Sequence, residues 1–242
     1  MTKKKLVVLT GAGISAESGI PTFRDVKDGL WMKYDVNKVS THEGYLNDPA
    51  LIHEFYSNLR KQMADYEPSG AHKILAELEK DYDVQIITQN ADDLHERAGS
   101  SKIHHFHGEI YKVHSTTHPE RVYDLREDPF NNGGSLVTTT KTTDPYGDPV
   151  RPHLVFFNEM PLGIEWVYGQ IREADILIVI GTSLQVMPFA GLPLLTKPTT
   201  PCYYIDRDAK IPSQIQKLRR TPVVCISATA MEGLKEWKEK YQ

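Results

Sequence analysis

The sequence predicts an α/β fold in which helices cover both faces of a doubly wound parallel sheet and a smaller domain is inserted. Three observations predict it. Short apolar runs recur along the chain, helical patterns lie between them, and one long polar segment interrupts the alternation. Alternation of strands and helices is typical of doubly wound sheets.

Five apolar runs are predicted to be strands of that sheet. Each run is short, rich in β-branched or aromatic residues, and bounded by turn residues. Because the runs lack polar alternation, they suit strands that are buried on both faces, as parallel strands usually are. The runs are Lys5–Thr10, 84–88, Ile176–Ile180, 203–205 and 223–226.

Helical patterns fill the intervals between these runs. Asp48 is a suitable N-cap for a helix that reaches about Tyr66 and carries one apolar face. A second helix is predicted to begin after Ser69, and further helices are predicted over 163–173 and Ala230–Tyr241.

The segment 115–152 departs from this pattern. It is rich in Thr, Asp, Pro, Gly and Asn, and its one β-like stretch is 136–140. A connection this long is unusual inside a compact domain. The segment is therefore either a small inserted module or a mobile loop.

The composition excludes several classes of protein and of partner. The chain has 242 residues with 28 basic and 32 acidic side chains, a net charge of −4 and two cysteines. This charge gives no field for binding nucleic acid or an anionic membrane, and two cysteines cannot form a disulfide framework or a four-cysteine zinc site. No secretory signal or membrane span is recognisable. We expect a cytoplasmic protein without nucleic-acid or membrane partners, and a monomer by default.

A glycine-rich motif follows the first predicted strand. Gly11, Ala12 and Gly13 begin a Gly-x-Gly-x-x-Ala sequence at the start of a helix, which is the fingerprint of dinucleotide-binding loops. An ordinary dehydrogenase would continue to a second strand, but here the residues 19–24 end the helix after about one turn. Arg24 is expected within reach of a cofactor phosphate, and Phe23 is expected to shield a reactive centre. A glycine-rich turn without a ligand is the alternative.

Polar residues follow three of the predicted strands, at the edge where α/β sheets bind ligands. Gln89, Asn90 and Asp92 follow the strand 84–88, where they suit either a carboxamide clamp or a helix cap. Further polar residues, which suit phosphate or ribose, are Gly181, Thr182, Ser183 and Asp206.

Three histidines lie close together between the second and third of these strands. His107 precedes a glycine, and a histidine in such a turn is a plausible general base because its ordinary pKa is about 6.5. His104, His105 and His107 are alternatively metal ligands or residues that satisfy a loop. Their spacing alone leaves the three interpretations open.

Together these segments resemble the sirtuins, the NAD-dependent protein-lysine deacylases. The resemblance covers nearly the whole chain, and the motifs occur in the order of the family. They are the sequence from Gly11 to Arg24, Gly29-Leu30-Trp31, the sequence from Thr88 to His95, His107-Gly108-Glu109, Arg151-Pro152-His153, the sequence from Phe157 to Pro161, and Gly181-Thr182-Ser183.

The resemblance implies a single catalytic domain over 1–242 that binds NAD and acylated lysine peptides or proteins. It implies a Rossmann-like core of about 1–26, 67–107 and 153–242, and a small domain formed by insertions at about 27–66 and 108–152. The acyl oxygen would attack the nicotinamide ribose, and His107 would then help to deprotonate a ribose hydroxyl. The products would be the free lysine, nicotinamide and O-acyl-ADP-ribose.

The resemblance also implies the residues of the site. The catalytic residues would be His107, Asn90 and Asp92. The cofactor would contact Gly11, Ala12, Gly13, Ile20, Thr22, Phe23, Arg24, Gln89, Asn90, Asp92, Gly181, Thr182, Ser183, Asp206 and Ala228. The substrate would contact Tyr56, Val155, Phe156, Phe157 and Asn158, with 155–158 as a strand that pairs with the peptide.

Two features depart from the pattern of sirtuins. Many members carry two Cys-x-x-Cys pairs that bind a structural zinc, whereas residues 108–152 contain no cysteine and Ser115 occupies the first such position. His114 and His118 are too few ligands, so we expect no bound metal. Cys202 and Cys225 lie in apolar runs and are predicted to be buried free thiols.

The second departure concerns the choice of acyl group. Members that prefer acidic acyl groups carry Tyr-x-x-Arg on the early helix, whereas here Tyr56 is followed by Leu59 at the arginine position. Arg60 lies one residue later, and a change of register or a flexible side chain would still bring it to a carboxylate. We expect deacetylation or longer-chain deacylation to exceed desuccinylation. A milder change is Asp206, where many relatives have asparagine.

Three functions fit the sequence to different degrees. An NAD-dependent protein deacylase, most simply a deacetylase, agrees with the full set of motifs. An NAD glycohydrolase or ADP-ribosyltransferase is the alternative suggested by the cysteine-free insertion. A non-enzymatic NAD-sensing module is the third, although the presence of His107 argues against it.

Overall fold

The structure is a computed structural model that describes residues 2–21, 34–210, 213–217 and 221–242. Within these ranges, six parallel strands form the main sheet in the order β3-β2-β1-β7-β8-β9. They are β1 (Lys5–Thr10), β2 (Asp83–Thr88), β3 (Ile103–His105), β7 (Ile176–Ile180), β8 (Cys202–Asp206) and β9 (Val223–Ser227). Each of the five predicted strands is present, and the doubly wound α/β class is confirmed.

The described helices lie between the strands or, in one case, after the last strand. They are α1 (Ala12–Ala16), α2 (Val36–Val39), α3 (His42–Asn47), α4 (Pro49–Met63), α5 (Gly70–Leu78), α6 (Leu94–Arg97), α7 (Ile164–Arg172), α8 (Ser213–Lys217) and α9 (Ala230–Tyr241), with 3-10 turns at Leu125–Glu127 and Phe189–Leu195. Asp48 and Ser69 cap α4 and α5 as predicted, because their side chains accept hydrogen bonds from the N–H groups of Leu51 and His72. Helix α4 ends at Met63, three residues before the predicted end.

Apolar side chains cover both faces of the main sheet. On one face, Leu6 and Val8 of β1 belong to a buried cluster with Leu75 of α5 and Trp237 of α9. On the other face, the alternate residues of β1 pack in a second cluster, which includes Val167 of α7. Because every residue of β1 after Lys5 is buried, its apolar run shows no polar alternation.

The segment between the second and third predicted strands is an ordered module and contains a three-stranded antiparallel sheet. Its strands, in the order β5-β4-β6, are β4 (Gly108–Ser115), β5 (Val122–Asp124) and β6 (Val150–Leu154). Val113, Leu125 and Val150 form its small buried cluster. Of the two alternatives for 115–152, the structure therefore supports the inserted module.

Two predictions about these regions were wrong. Residues 136–140 are not a strand, because their backbone bonds to side chains of α4: Arg60 donates to the carbonyl oxygen of Leu136, and the N–H of Thr138 donates to Ser57. Cys225 is exposed, whereas Cys202 is buried as expected. Cys225 lies in β9 at the edge of the sheet, where the burial of alternate residues is incomplete.

No helix among the described residues is long and apolar enough to cross a membrane.

Candidate active site

The carboxyl ends of three adjacent strands bring the glycine motif and the polar residues together. Thr10 at the end of β1 lies opposite Thr88 of β2 and Ile180 of β7. The strands that follow β1 in sequence lie on one side of it, and the strands that follow β7 lie on the other side of β7. The strand order therefore reverses between β1 and β7, and α/β sheets bind ligands at such a point.

Glycine is required at this edge because two loops touch backbone to backbone. The N–H of Gly13 donates to the carbonyl oxygen of Gly181 at 2.8 Å. A Cβ atom at Gly13 would lie 2.6 Å from the Cα atom of Gly181, and Gly181 itself has φ +63°. Any side chain at either position would therefore push the two loops apart.

A cavity of about 920 Å³ opens at the same edge. This volume lies within the range of about 300–1,000 Å³ that is typical of small-molecule and cofactor sites. Fifteen of the residues predicted for the site line it: Ala12, Gly13, Tyr56, Gln89, Asn90, His107, Val155, Phe156, Phe157, Asn158, Gly181, Thr182, Ser183, Asp206 and Ala228.

Other predicted residues do not line this cavity. Gly11 and Asp92 are buried but are not part of its lining, and Ile20 packs against the cluster that includes Phe55 of α4. The predicted contacts of Thr22, Phe23 and Arg24, and the motif Gly29-Leu30-Trp31, lie outside the described residues.

A buried network fixes the amide of Asn90. Its Nδ2 atom donates to the carbonyl oxygen of Gly11 at 3.1 Å and to Oγ of Ser15 at 3.0 Å. Ser15 in turn donates to Oδ2 of Asp92 at 2.9 Å. Asp92 also accepts a hydrogen bond from the N–H of Leu94, the first residue of α6, although Asp93 is the N-cap residue of that helix. Burial raises the pKa of Asp92, which is 8% exposed.

Ser15 is a site residue that the sequence analysis did not single out. Its hydroxyl group accepts from Asn90 and donates to Asp92, so it joins the glycine motif to the strand end of β2. The available signal was its position in the fingerprint, where Ser15 lies four residues after Gly11 and faces inward on α1.

His107 is held as a neutral imidazole at the cavity wall. Burial lowers its pKa, and a hydrogen bond to the backbone of Gln89 opposes that shift only in part. A neutral imidazole has one N–H group and one ring nitrogen that can accept a proton. The geometry therefore suits His107 for the role of general base.

The other two histidines of the cluster serve different partners. Nε2 of His104 lies 2.8 Å from the carbonyl oxygen of Leu162, away from the cavity. His105 lies between Asn90 and Glu96. Among the described residues, no three His, Cys, Asp or Glu side chains are grouped as metal ligands. The cluster thus contains one histidine at the cavity and two with structural partners.

The inner end of the cavity is apolar. Tyr56 and Leu59 of α4 and Ile110 of β4 line it. Arg60 does not, because its fully buried guanidinium donates from Nε to the carbonyl oxygen of Ile110 at 2.9 Å and from Nη1 to that of Leu136 at 2.6 Å. The expectation that Arg60 could still reach an acyl carboxylate is therefore wrong for this conformation.

The segment 155–158 lines the cavity but is not the predicted strand. Strand β6 ends at Leu154, and the chain continues as a loop with one isolated bridge between Phe157 and Thr41. The N–H of Val155 donates to His107 and that of Phe157 donates to Ser40. Asn158 has φ +72°, which ends the extended conformation.

The residues of the inserted module do not fit a structural zinc. Ser115 is buried, and its hydroxyl group lies 3.2 Å from Thr117 and accepts from the N–H of His118. A hydroxyl in such contacts offers no thiolate to a metal. The module is held by its apolar cluster and by Arg121, which forms ion pairs with Asp144 and Asp148.

Comparison with known proteins agrees with this geometry. The sequence model of the Sir2 family matches residues 11–188, which include the glycine motif, His107 and the motif at 181–183. The chain belongs to the Sir2 family. Its similarity to other Sir2-family proteins extends beyond the matched residues to nearly its whole length.

Two relatives with known names illustrate that similarity. The NAD-dependent protein deacylase of Bacteroides thetaiotaomicron is 42% identical, and the alignment covers 98% of this chain and 97% of that protein. The NAD-dependent protein deacylase of Helicobacter pylori strain 26695 is also 42% identical, with the same two coverages.

Solved structures of the Sir2 family share the fold and contain ligands. A Sir2 homologue in complex with NAD is 34% identical, has a TM-score of 0.80, and the match covers 97% of this chain and 88% of that one. A Sir2 protein with a deacetylated p53 peptide and 3′-O-acetyl ADP-ribose is 28% identical, with a TM-score of 0.74 and coverages of 99% and 94%.

Proposed function

We propose that this chain is an NAD-dependent protein-lysine deacylase that releases nicotinamide and O-acyl-ADP-ribose. The observation that carries the proposal is the position of His107, a neutral imidazole on the wall of a cavity that also contains the glycine motif and Asn90. The names of the two Sir2-family relatives given above support the same activity.

The residues at the reversal point of the sheet fit NAD. Gly13 presents backbone without a side chain, while Thr182, Ser183 and Asp206 add two hydroxyl groups and a carboxylate at the ends of β7 and β8. Hydroxyl and backbone N–H groups suit the phosphates, and a carboxylate suits ribose hydroxyls. When bound, NAD supplies the ribose carbon that accepts the acyl oxygen and the nicotinamide that leaves.

The chain's own residues bind and orient the cofactor, and one of them accepts a proton. Asn90 and Gln89 face the nicotinamide side of the cavity, and Asp92 acts on Asn90 through Ser15 rather than from the cavity wall. Neutral His107 accepts the proton of a ribose hydroxyl on its unprotonated ring nitrogen. The apolar end at Tyr56 keeps water from the acyl group.

Acylated lysine peptides are the proposed second substrate. Val155, Phe156, Phe157 and Asn158 line the cavity, and Phe157 is 46% exposed at its rim. Backbone groups in this segment suit a peptide that binds in extended conformation, with little dependence on its sequence. We also retain as proposals the division into a Rossmann-like core and a small domain at the boundaries given above, a monomeric state and a cytoplasmic setting.

Turnover of an acetyl-lysine peptide tests the function. The protein is incubated with NAD and the peptide, and mass spectrometry measures nicotinamide, deacetylated peptide and O-acetyl-ADP-ribose. We expect all three from the unaltered protein, at a rate lower by about 10²–10⁴-fold in His107→Ala, and full activity from His118→Ala, which removes an exposed histidine outside the cavity.

The same experiment separates the alternatives. Release of nicotinamide without peptide would indicate a glycohydrolase, and a labelled protein acceptor would indicate an ADP-ribosyltransferase. Binding of NAD with no turnover under any condition would indicate an NAD-sensing module and would reject the enzyme.

A further inference from the structure

The imidazole of His105 lies between two hydrogen-bond acceptors. Its Nδ1 atom is 2.8 Å from the backbone carbonyl oxygen of Asn90, and its Nε2 atom is 2.8 Å from Oε1 of Glu96. The histidine side chain is 5% exposed, so water cannot readily replace either partner. Both short contacts therefore need a hydrogen atom from the imidazole.

A neutral imidazole cannot meet this requirement. It carries one N–H group, whereas a carbonyl oxygen and a carboxylate both only accept. We propose that His105 is an imidazolium held between Glu96 and Asn90, and that it is a positioning residue for the active site. The proposal rests on the deacylase function proposed above, because Asn90 lines the cavity of that site.

Asn90 is then fixed by the hydrogen bonds of its whole residue. Its N–H donates to Oγ1 of Thr88, its side-chain amide donates to Gly11 and Ser15, and its carbonyl oxygen accepts from His105. Loss of the hydrogen bond from His105 would leave the backbone carbonyl group of Asn90 unrestrained. The cavity would keep its residues but lose the fixed orientation of one of them.

The charges around His105 favour its protonated form. Glu96 and Glu109 face it from α6 and β4, and the carboxylate of Asp92 lies on the loop after β2. His95 and His104 face it as well, and burial lowers the pKa of each, so neither competes as a cation. Arg126 acts on the opposite side of Glu96.

These surroundings raise the pKa of His105 above its ordinary value, although burial alone would lower it. The sign of the pH dependence follows. A histidine whose pKa is raised in the folded protein keeps its stabilising charge below about 6.5 and loses it as the pH rises through the raised value. The positioning of Asn90 should therefore weaken on the alkaline side.

Nitrogen NMR on the free protein tests the protonation directly, without NAD or turnover. Long-range 1H–15N spectra distinguish an imidazolium from either neutral tautomer, and the signals of His105 are assigned by their loss in His105→Gln. At pH 6.5 we expect both ring nitrogens of His105 to be protonated. We expect Glu96→Gln to shift the titration midpoint downward by about one unit or more, because the ion-pair partner is lost.

A neutral His105 at pH 6.5, or a midpoint that Glu96→Gln leaves unchanged, would overturn the proposal. This result is separate from the failure of the deacylase function, because the spectra need no substrate. Glu96 is partly exposed, so Glu96→Gln keeps the test available if His105→Gln does not fold.

The pH profile of turnover tests the positioning role. We expect kcat/KM for NAD to fall at alkaline pH, and this alkaline limb to have the same midpoint as the NMR titration. In Glu96→Gln this midpoint should move to lower pH by the same amount as the NMR midpoint. We expect His105→Gln to abolish the limb and to lower kcat/KM for NAD by about tenfold or more, as losing a charge-assisted hydrogen bond does. His104→Gln is the matched control, because His104 is the neighbour of His105 on β3. Its ring bonds to the carbonyl oxygen of Leu162, and it does not line the cavity.

A merely structural role would move other readouts. If His105→Gln lowered the melting temperature but left the pH profile and KM for NAD unchanged, the positioning role would be rejected. The same holds if His104→Gln shifted the alkaline limb as much as Glu96→Gln.

Discussion

Arg60 donates a hydrogen bond from Nε to the backbone carbonyl oxygen of Ile110, at 2.9 Å. The side chain of Ile110 lines the cavity, whereas the guanidinium lies behind it and is fully buried. A second bond to Leu136 ties the same group to the inserted module. The cation one residue after Leu59 is therefore used to join two parts of the fold and is not available to an acyl carboxylate.

The choice of acyl group follows from this arrangement. We expect kcat/KM for acetyl-lysine and longer neutral acyl peptides to exceed that for succinyl-lysine, because an acyl carboxylate would meet Tyr56 and Leu59 without a cation. Leu59→Arg should raise desuccinylation, and Leu59→Gln, which is similar in size and uncharged, should not. Higher kcat/KM for the succinyl peptide with the unaltered protein would contradict this prediction.

His107 sets the acid side of the activity. Burial lowers its pKa, so the neutral form that accepts a proton predominates at pH 7. We expect the rate to fall as the pH decreases through a value below about 6.5, and His107→Ala to lower kcat by about 10²–10⁴-fold. A pH profile with an acid midpoint well above 6.5 would mean that another group is titrating.

The network at Ser15 makes a prediction about stability. Ser15→Ala removes the donor to Asp92 and one acceptor of Asn90, and we expect it to lower the free energy of unfolding by about 1–3 kcal/mol. Ser18→Ala is the control, because the buried Ser18 hydroxyl has no hydrogen-bond partner among the residues that the structure describes. Denaturant unfolding measures both. An equal loss in the two variants would argue against the network.

Buried histidines outside the site make the fold sensitive to acid. Burial lowers the pKa of His53 and His72 to about 4, so the folded protein binds fewer protons than the unfolded chain. The free energy of unfolding should therefore fall as the pH decreases from about 6.5 to about 4. We expect His72→Asn to reduce the dependence of the unfolding free energy on pH. His118→Asn, which changes a surface histidine, should leave that dependence unchanged. A free energy of unfolding that did not change over this pH range would contradict the lowered pKa values of the two buried histidines.

The inserted module is expected to fold without zinc. Metal analysis of the purified protein should find less than one tightly bound equivalent, and a chelator should leave the melting temperature unchanged. We expect Leu125→Ala to lower the free energy of unfolding by about 2–5 kcal/mol, because the small cluster would lose one of its three buried side chains. One tightly bound zinc whose removal unfolds the protein would refute this account.

The sequence predicted the main sheet well because its signals are local. The apolar run of β1 and the cap residues Asp48 and Ser69 act through residues that are close in the chain. The carboxyl ends of parallel strands lie at the same edge of a sheet, so the polar residues that follow the strands were expected to lie together. His107 and Asn90 accordingly line one cavity.

Non-local partners account for what the sequence analysis missed. The residues 136–140 have the composition of a strand, yet their hydrogen-bond partners are side chains of Arg60 and Ser57, nearly eighty residues earlier. The direction of Arg60, the exposure of Cys225 at a sheet edge and the role of Ser15 depend in the same way on packing across the fold. None of these contacts has a signature in local sequence.

The stoichiometry of turnover tests the central claim most directly. The protein is incubated with NAD and an acetyl-lysine peptide, and nicotinamide, deacetylated peptide and O-acetyl-ADP-ribose are measured over time by mass spectrometry. The account predicts that the three products appear in equal amounts, that none forms without peptide, and that His107→Ala lowers the rate of their formation by about 10²–10⁴-fold. Nicotinamide release that does not depend on the peptide, or intact NAD and peptide throughout, would contradict it.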